Sequence, residues 1–300
     1  MKNAALCSLL LSTAYASQAH AEEYVKTYPV TGQAVVHVRV DDSSVQVLAS
    51  DTHEVEFRVT SEGFSAVDFG QKLHIDSQQD GNQVQLTVRL SAGVTLGFNN
   101  RRITTVVRMP KNADLQLETS DGRVDLSDVT GNIVVHTSDG AIKASQLSGT
   151  VDLRSNDGEI IADTLAGTVK LHSGDGRINA TRLDGKCDVS TGDGSIHVAG
   201  RFDSLNIKSG DGAVTARAEP GSTIASTWTI TTSDGDVDVA IPKTLQANLD
   251  ASTSDGHISL GVPVLVQGDL GKKAARGTIN GGGLTLYIHT GDGTIHLNGI

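Results

Sequence analysis

From residue 111 onward, short runs of alternating apolar and polar residues are broken at fixed places by glycine. The runs align on the pair Asp-Gly, which recurs at 121, 139, 157, 175, 193 and 211 with a period of 18, then at 234, 255 and 292. Two residues before each of these aspartates stands a hydroxyl: Thr119, Thr137, Ser155, Ser173, Thr191, Ser209, Thr232, Thr253 and Thr290. Six and four before it come mostly apolar pairs such as Ile133/Val135, Val151/Leu153 and Val169/Leu171. Two and four after the glycine come Ile142/Ala144, Ile160/Ala162, Ile178/Ala180 and their equivalents. Within each run the apolar positions share one parity, which predicts a short strand with one buried face. A period this regular predicts stacked repeats, because each unit buries its apolar face only against a neighbour in the same place.

Asp-Gly is also a strong hairpin turn, so antiparallel hairpins are the competing arrangement. The outward positions decide for stacking. Asp152, Lys170 and Asp188 succeed one another five residues before the Asp; Glu159 and Arg177, and Asp125 and Lys143, alternate likewise after the glycine. In register these become opposite charges on strands about 4.8 Å apart, where like charges would be destabilising. The expected fold is all-β, a parallel β-solenoid (β-helix) with 18-residue coils. A second corner is expected at Gly131, Gly149, Gly167 and Gly185, and the column Ala144, Ala162, Ala180 predicts a narrow, filled interior.

Residues 22–110 lack the period but alternate like half-buried strands, as in Val35 to Val40, Glu54 to Val59 and Val84 to Leu90, with a hairpin turn at Asp80-Gly81. This segment is expected to be an N-terminal β cap with the first irregular coils and 111–300 the repetitive solenoid, with Ser91 to Arg101 an exposed loop. Beyond Asp211 the spacing widens to 23, 21 and 37 residues. Ala218 to Thr223 reads as a loop budding from a corner. The gap of 37 is expected to hold a degenerate coil with Gly277-Thr-Ile279 in place of Gly-x-Ile. The stack then ends at Thr294 to Ile300 with no obvious cap. That leaves an open strand for self-association through the C-terminal coil, unless residues 261–275 fold back over it.

Composition narrows the function classes. With 33 glycines and 3% aromatic residues, the chain suits aliphatic ladders better than a globular enzyme core. Residues 1–21, basic at Lys2, apolar from Ala4 to Ala16 and ending Ala19-His-Ala21, read as a secretory signal, giving a mature start at Glu22 and an exported protein, periplasmic or at the cell surface. Losing Lys2 takes Lys+Arg from 24 to 23 against Asp+Glu 35, a net charge of −12, which disfavours nucleic acid as a partner. Past residue 21 no apolar run is long enough to form a transmembrane segment. Cys187, the only cysteine left, shares the column of Val151 and Val169 and is expected to be a buried hydrophobe.

The repeated polar residues read as structure. The aspartates are expected to serve the turn, with the following Gly at φ > 0, because the calcium β-roll pattern would put an Asp where this chain has an inward apolar residue. The hydroxyl column is expected to satisfy buried corner groups. His136, His172, His197, His289 and His296 fall on outward positions; His136 and His172, two coils apart, stand about 9.6 Å from each other, too far to share a metal without convergence of their side chains. No catalytic, cofactor-binding or metal-ligating residue is assigned, and no cofactor.

Val107-Arg-Met-Pro-Lys-Asn-Ala-Asp-Leu at the start of the repeats, the run Leu117 to Val124 that follows it, the echo from Val239 to Ile258, and the ending from Thr278 to Ile295 resemble the bacterial family labelled putative adhesin, domains of unknown function carrying this repeat. The resemblance implies an exported β-solenoid of the cell envelope and brings no functional residues with it. The expected function is a non-catalytic adhesion or protein-interaction module whose partner is an envelope protein or surface ligand. The alternatives are a structural or signalling component of the envelope and a polysaccharide-acting β-helix enzyme. The enzyme is disfavoured because Trp228 is the only Trp available as a sugar platform.

Overall fold

In a computed structural model that describes residues 22–64, 71–91, 96, 101–266 and 271–300, the chain is all-β. Among the described residues, 23 strands join one continuous, mostly parallel sheet that wraps into a β-solenoid-like stack. Residues 1–21, read above as a secretory signal, and most of the loop expected at 91–101 lie outside the described residues. Each coil contributes one strand before its Asp-Gly and one after it. These build two walls whose inward residues form a single core, from Val36 and Leu115 through Val151 and Ile178 to Leu286 and Leu297. Alternation along strands such as Ile160–Ser173 is what makes the walls: Ile160, Ala162, Val169 and Leu171 are buried while Lys170 and His172 face out.

In the middle of the stack, pairing partners stand 18 residues apart. Ile142 pairs Ile160, which pairs Ile178, and Asp152, Lys170 and Asp188 lie in one row. The second corner is left-handed: Asp128, Gln146, Thr164 and Arg182 have φ of 63°, 55°, 59° and 54°, and three residues on Gly131, Gly149, Gly167 and Gly185 are also at positive φ. The Asp-Gly corner differs from expectation, because none of its glycines is at positive φ. Glycine is required there by close approach. A Cβ on Gly176 would lie 2.2 Å from the carbonyl oxygen of Gly158, and one on Gly158 would lie 2.1 Å from that of Gly140.

The two ends overturn the expected order of coils. At the N-terminal end, strands Ala34–Val40 and Ser44–Ser50 make a parallel coil that pairs with Ala113–Thr119 and Val124–Ser127 on one side. On its other side lies the later coil of Gln83–Leu90 and Arg102–Pro110. Antiparallel strands Leu73–Asp80, Glu54–Glu62 and Glu22–Pro29 close that end. The segment 22–110 thus holds two parallel coils as well as closing strands, and Asp80-Gly81 does turn a hairpin, with Gly81 at φ 60°.

The C-terminal end repeats the device. Strands Thr285–Thr290 and Ile295–Gly299 lie between the coil of Trp228–Thr232 and Val237–Ile241 and the coil of Ala247–Thr253 and Ile258–Gly261. The last stretch of the chain is therefore paired on both sides and is not the open edge expected for it. Gly277-Thr-Ile279 is no degenerate coil: it belongs to strand Ala274–Ile279, antiparallel to Ala247–Thr253. Residues 271–275 do fold back, over the coil 247–261, where the Lys272 and Lys273 carbonyls accept from the N–H of Ile258 and Thr253.

Candidate functional site

The hydroxyl column forms a continuous ladder. Ser173 Oγ donates to Gly158 O of the preceding coil at 2.9 Å and accepts from its own Gly176 N–H at 3.0 Å. Ser155, Thr191 and Ser209 reach back to Gly140, Gly176 and Gly194 in the same way. The ladder follows spatial order, not chain order: Thr290 bonds Gly235 O at 2.8 Å, and Thr253 bonds Gly293 O at 2.9 Å. These hydroxyls are buried and committed to corner groups that would otherwise lack partners, which leaves none of them placed as a nucleophile.

The nine repeat aspartates are all exposed along one edge. Lys273 Nζ reaches one of them, Asp255, at 2.9 Å. Among the described residues no three His, Cys, Asp or Glu side chains stand together, as placed, in a way that could hold a metal ion. Cys187 is buried, and burial, with a smaller push from Asp188, raises its thiol to about 12, so it is not a thiolate at neutral pH. Trp228 is wholly buried, edge-on to Phe202 at 6.2 Å between ring centroids, and offers no face to a sugar. The concavities are open grooves. One of about 390 Å³ is lined by Thr31, Asp51, His53 and Lys111, with Asp51 engaged by Lys111 at 3.1 Å.

Chemistry is left to the outward rows of the two walls. The charge alternation holds in the pairing of Asp125 with Lys143 and of Asp152 with Lys170, but the short ion pairs run along strands as well as across them. Arg154 grips Asp152 with two nitrogens at 2.8 Å, and Arg123 grips Asp125 at 2.9 Å. Across strands, Arg39 meets Glu118 at 2.7 Å, and that hydrogen bond holds the Glu118 carboxyl below the ordinary range. The outward histidines sit where expected. His172 Nδ1 meets Ser190 Oγ at 2.9 Å and His289 Nδ1 meets Ser252 Oγ at 3.0 Å, each across to a neighbouring strand. A contact the spacing did not reveal is that of His257 with His296, ring centroids 6.2 Å apart at an interplanar angle of 89°. Their 39-residue separation in sequence becomes a neighbour contact only because the coil 285–299 is inserted beside the coil 247–261.

The model of the family described as Toastrack DUF4097 matches residues 35–298. Solved structures align over most of the chain at low identity. A putative adhesin from Parabacteroides distasonis shares 12% identity at a TM-score of 0.48, covering 92% of this chain and 97% of that one. One from Parabacteroides merdae shares 12% at 0.43, covering 92% and 96%. A putative lipid binding protein from Parabacteroides distasonis shares 13% at 0.38, again covering 92% and 96%. No protein of curated function matches the chain.

Proposed function

The chain belongs to the Toastrack DUF4097 family, and from that premise we propose that it is an exported, non-catalytic interaction module of the cell envelope that binds its partner along the outward rows of the solenoid. One observation carries this reading. The inward repeat positions are filled by apolar side chains or by hydroxyls bonded to the neighbouring coil, so the positions left for recognition are outward and recur at the strand spacing of about 4.8 Å. Such a surface presents rows of polar side chains, with an exposed aspartate recurring at the Asp-Gly corners, and suits an extended partner. Export rests on the leader-like residues 1–21.

The experiment is a pull-down from envelope fractions with the chain beginning at Glu22 as bait. Parallel baits carry Arg154→Glu with Lys170→Glu on one wall, or Asp157→Asn with Asp175→Asn and Asp193→Asn along the corner edge. Saturable recovery of one component that a folded variant loses supports the module and locates its face. Hydrolysis of envelope polysaccharide by the parent, or no saturable recovery with any bait, overturns the reading. Intact mass of the exported protein tests the leader, with Glu22 as the expected first residue.

A further inference from the structure

The N-terminal end of the stack is stepped. Beyond the coil 113–127, the wall that contains Ala113–Thr119 adds the strands Ala34–Val40, Gln83–Leu90 and Leu73–Asp80. The wall that contains Val124–Ser127 adds one strand more, in the order Ser44–Ser50, Arg102–Pro110, Glu54–Glu62 and Glu22–Pro29. Among the described residues the last strand of each wall pairs on one side only, and the core between them ends in the half-buried Tyr24 and Ile75. Such open edges recruit strands from other chains. We propose that this step is a two-fold joint between two copies of the chain, in which strand Glu22–Pro29 of each copy fills the place missing beside strand Leu73–Asp80 of the other.

Direction, hydrogen bonding and register all fit that joint. Strands that lead into an Asp-Gly corner run toward the corner edge, and those that follow it run away. Counted through the antiparallel pairings, Leu73–Asp80 and Glu22–Pro29 both run away from it. A two-fold axis lying between the walls along the strands preserves that direction, so the new pair is parallel. Val30 N–H donates to His53 O at 2.8 Å and Ser91 N–H to Lys72 O at 2.8 Å. By antiparallel alternation, Glu23, Val25 and Thr27 therefore turn their N–H and C=O groups to the free side of one strand, and Ile75, Ser77 and Gln79 to that of the other. The side chains of the first set face out and those of the second face in. A parallel ladder requires that combination, because each bonding residue reaches the two that flank its opposite number.

The tyrosines set the register. The hydroxyls of Tyr24 and Tyr28 both meet Ser77 Oγ, at 2.6 and 2.5 Å, so Ser77 lies across the core from Lys26. Rotation about an axis along the strands keeps that position and sets Lys26 of the second copy beside Ser77. His74 then stands opposite Glu23 of the second copy, and no two like charges are directly opposed. Lys26 shares the inward parity of Tyr24 and Tyr28, and an inward charge ordinarily guards an edge strand. In the joint the hydroxyls of Tyr24, Tyr28 and Ser77 supply acceptors for its ammonium group. Both walls run on through the joint, both C-terminal ends point outward, and the assembly closes at two copies.

The test is sedimentation equilibrium of the protein expressed from Met1 and purified, across micromolar concentrations. A monomer–dimer equilibrium with nothing larger is expected. Val25→Pro removes an N–H that faces the free side and bonds nothing within the chain, a place where an edge strand accepts proline. It should keep the urea midpoint and weaken dimerisation at least about tenfold through the bonds lost at two symmetric contacts; Thr27→Pro serves where Val25→Pro lowers the midpoint. Val25→Cys combined with Asp76→Cys reads the register directly. Within one chain these residues face out from opposite walls, whereas in the joint they are opposed on neighbouring strands about 4.8 Å apart, within disulfide reach. Mild oxidation should give a covalent dimer that thiol reduces. Leu265→Glu, at the other end of the stack, should change neither result. A parent that stays monomeric makes Lys26 a guard of the edge and overturns the joint. Growth beyond the dimer, a dimer that survives proline in a folded variant, or the absence of the disulfide overturns it as well.

Discussion

Gly176 and Gly81 both occupy turns, yet a side chain is excluded from them for different reasons. At Gly81 the backbone sits at φ 60° with nothing within 4 Å of a new Cβ, so Gly81→Ala should cost only the left-handed penalty of about 1 kcal/mol. At Gly176 φ is ordinary, but the Cβ would lie 2.2 Å from a backbone oxygen of the coil below. That atom moves only if the stack moves, so Gly176→Ala should cost more than about 3 kcal/mol, beyond usual overpacking; the shift in urea midpoint measures both. The hydroxyl ladder makes a parallel case. Ser173→Ala strands the Gly176 N–H and the Gly158 carbonyl at about 1–3 kcal/mol each, whereas Ser173→Thr should be tolerated, since Thr137 and Thr191 hold equivalent places. The Cys187 thiol, raised to about 12 by burial, should resist alkylation at neutral pH until the protein unfolds; reaction of the native protein at the rate of a free thiol would contradict its placement. The role of the hydroxyls was legible in their fixed spacing. The reason for the Asp-Gly glycines was not, because a tight turn and a close approach select the same residue.

At the scale of the element, the strands and most of their register could be read from the sequence where the 18-residue period holds, since one slip would turn Ile160, Ala162 and Val169 out of the core; the exception is the second corner between strands Ile178–Ser190 and Ile196–Lys208, where Leu183 pairs Gly200. The second corner could be read from Gly131, Gly149, Gly167 and Gly185, but not the left-handed residue three before each: Asp128, Gln146, Thr164 and Arg182 adopt nearly the same φ and share only polarity. The neighbouring coils impose that conformation. Where the period breaks, pattern also misled, as Gly277-Thr-Ile279 looks like a repeat and runs as an antiparallel strand. Two substitutions separate what the strands contribute from what their surface charges contribute. The Ile295 N–H donates to His257 O between two coils, so Ile295→Pro removes a ladder bond from a strand paired on both sides, where proline is not accommodated. It should destabilise by about 3 kcal/mol or more, and a variant with unchanged urea midpoint would refute the interior placement. Arg154→Ala breaks an ion pair that is exposed on the arginine side, Arg154 being 52% exposed. It should cost less than about 1 kcal/mol.

For the whole molecule, both ends of the stack use one device in mirror image: the coil nearer the terminus in sequence, 34–50 or 285–299, lies inside a coil farther from it, 83–110 or 247–261. Sequence position and stack position therefore diverge at both ends, which is why the C-terminal coil reads as an edge in the sequence and lies within the stack. Chain termini ordinarily fray, and an end coil exchanges its amides through low-energy local openings. Here Ile295 and Leu297 are fully buried, and their strand pairs Val237–Ile241 on one side and Ile258–Gly261 on the other. Opening that strand requires breaking two ladders, not one. Hydrogen exchange followed residue by residue should thus show Ile295 and Leu297 protected as strongly as Ile178 and Ala180 in the middle of the stack. The fastest exchange at this end should fall at Leu265 and Val266, in a two-residue strand with a single neighbour and with Leu265 75% exposed. If protection instead declines steadily toward Ile300, the final coil is the frayed edge and the inserted arrangement is wrong.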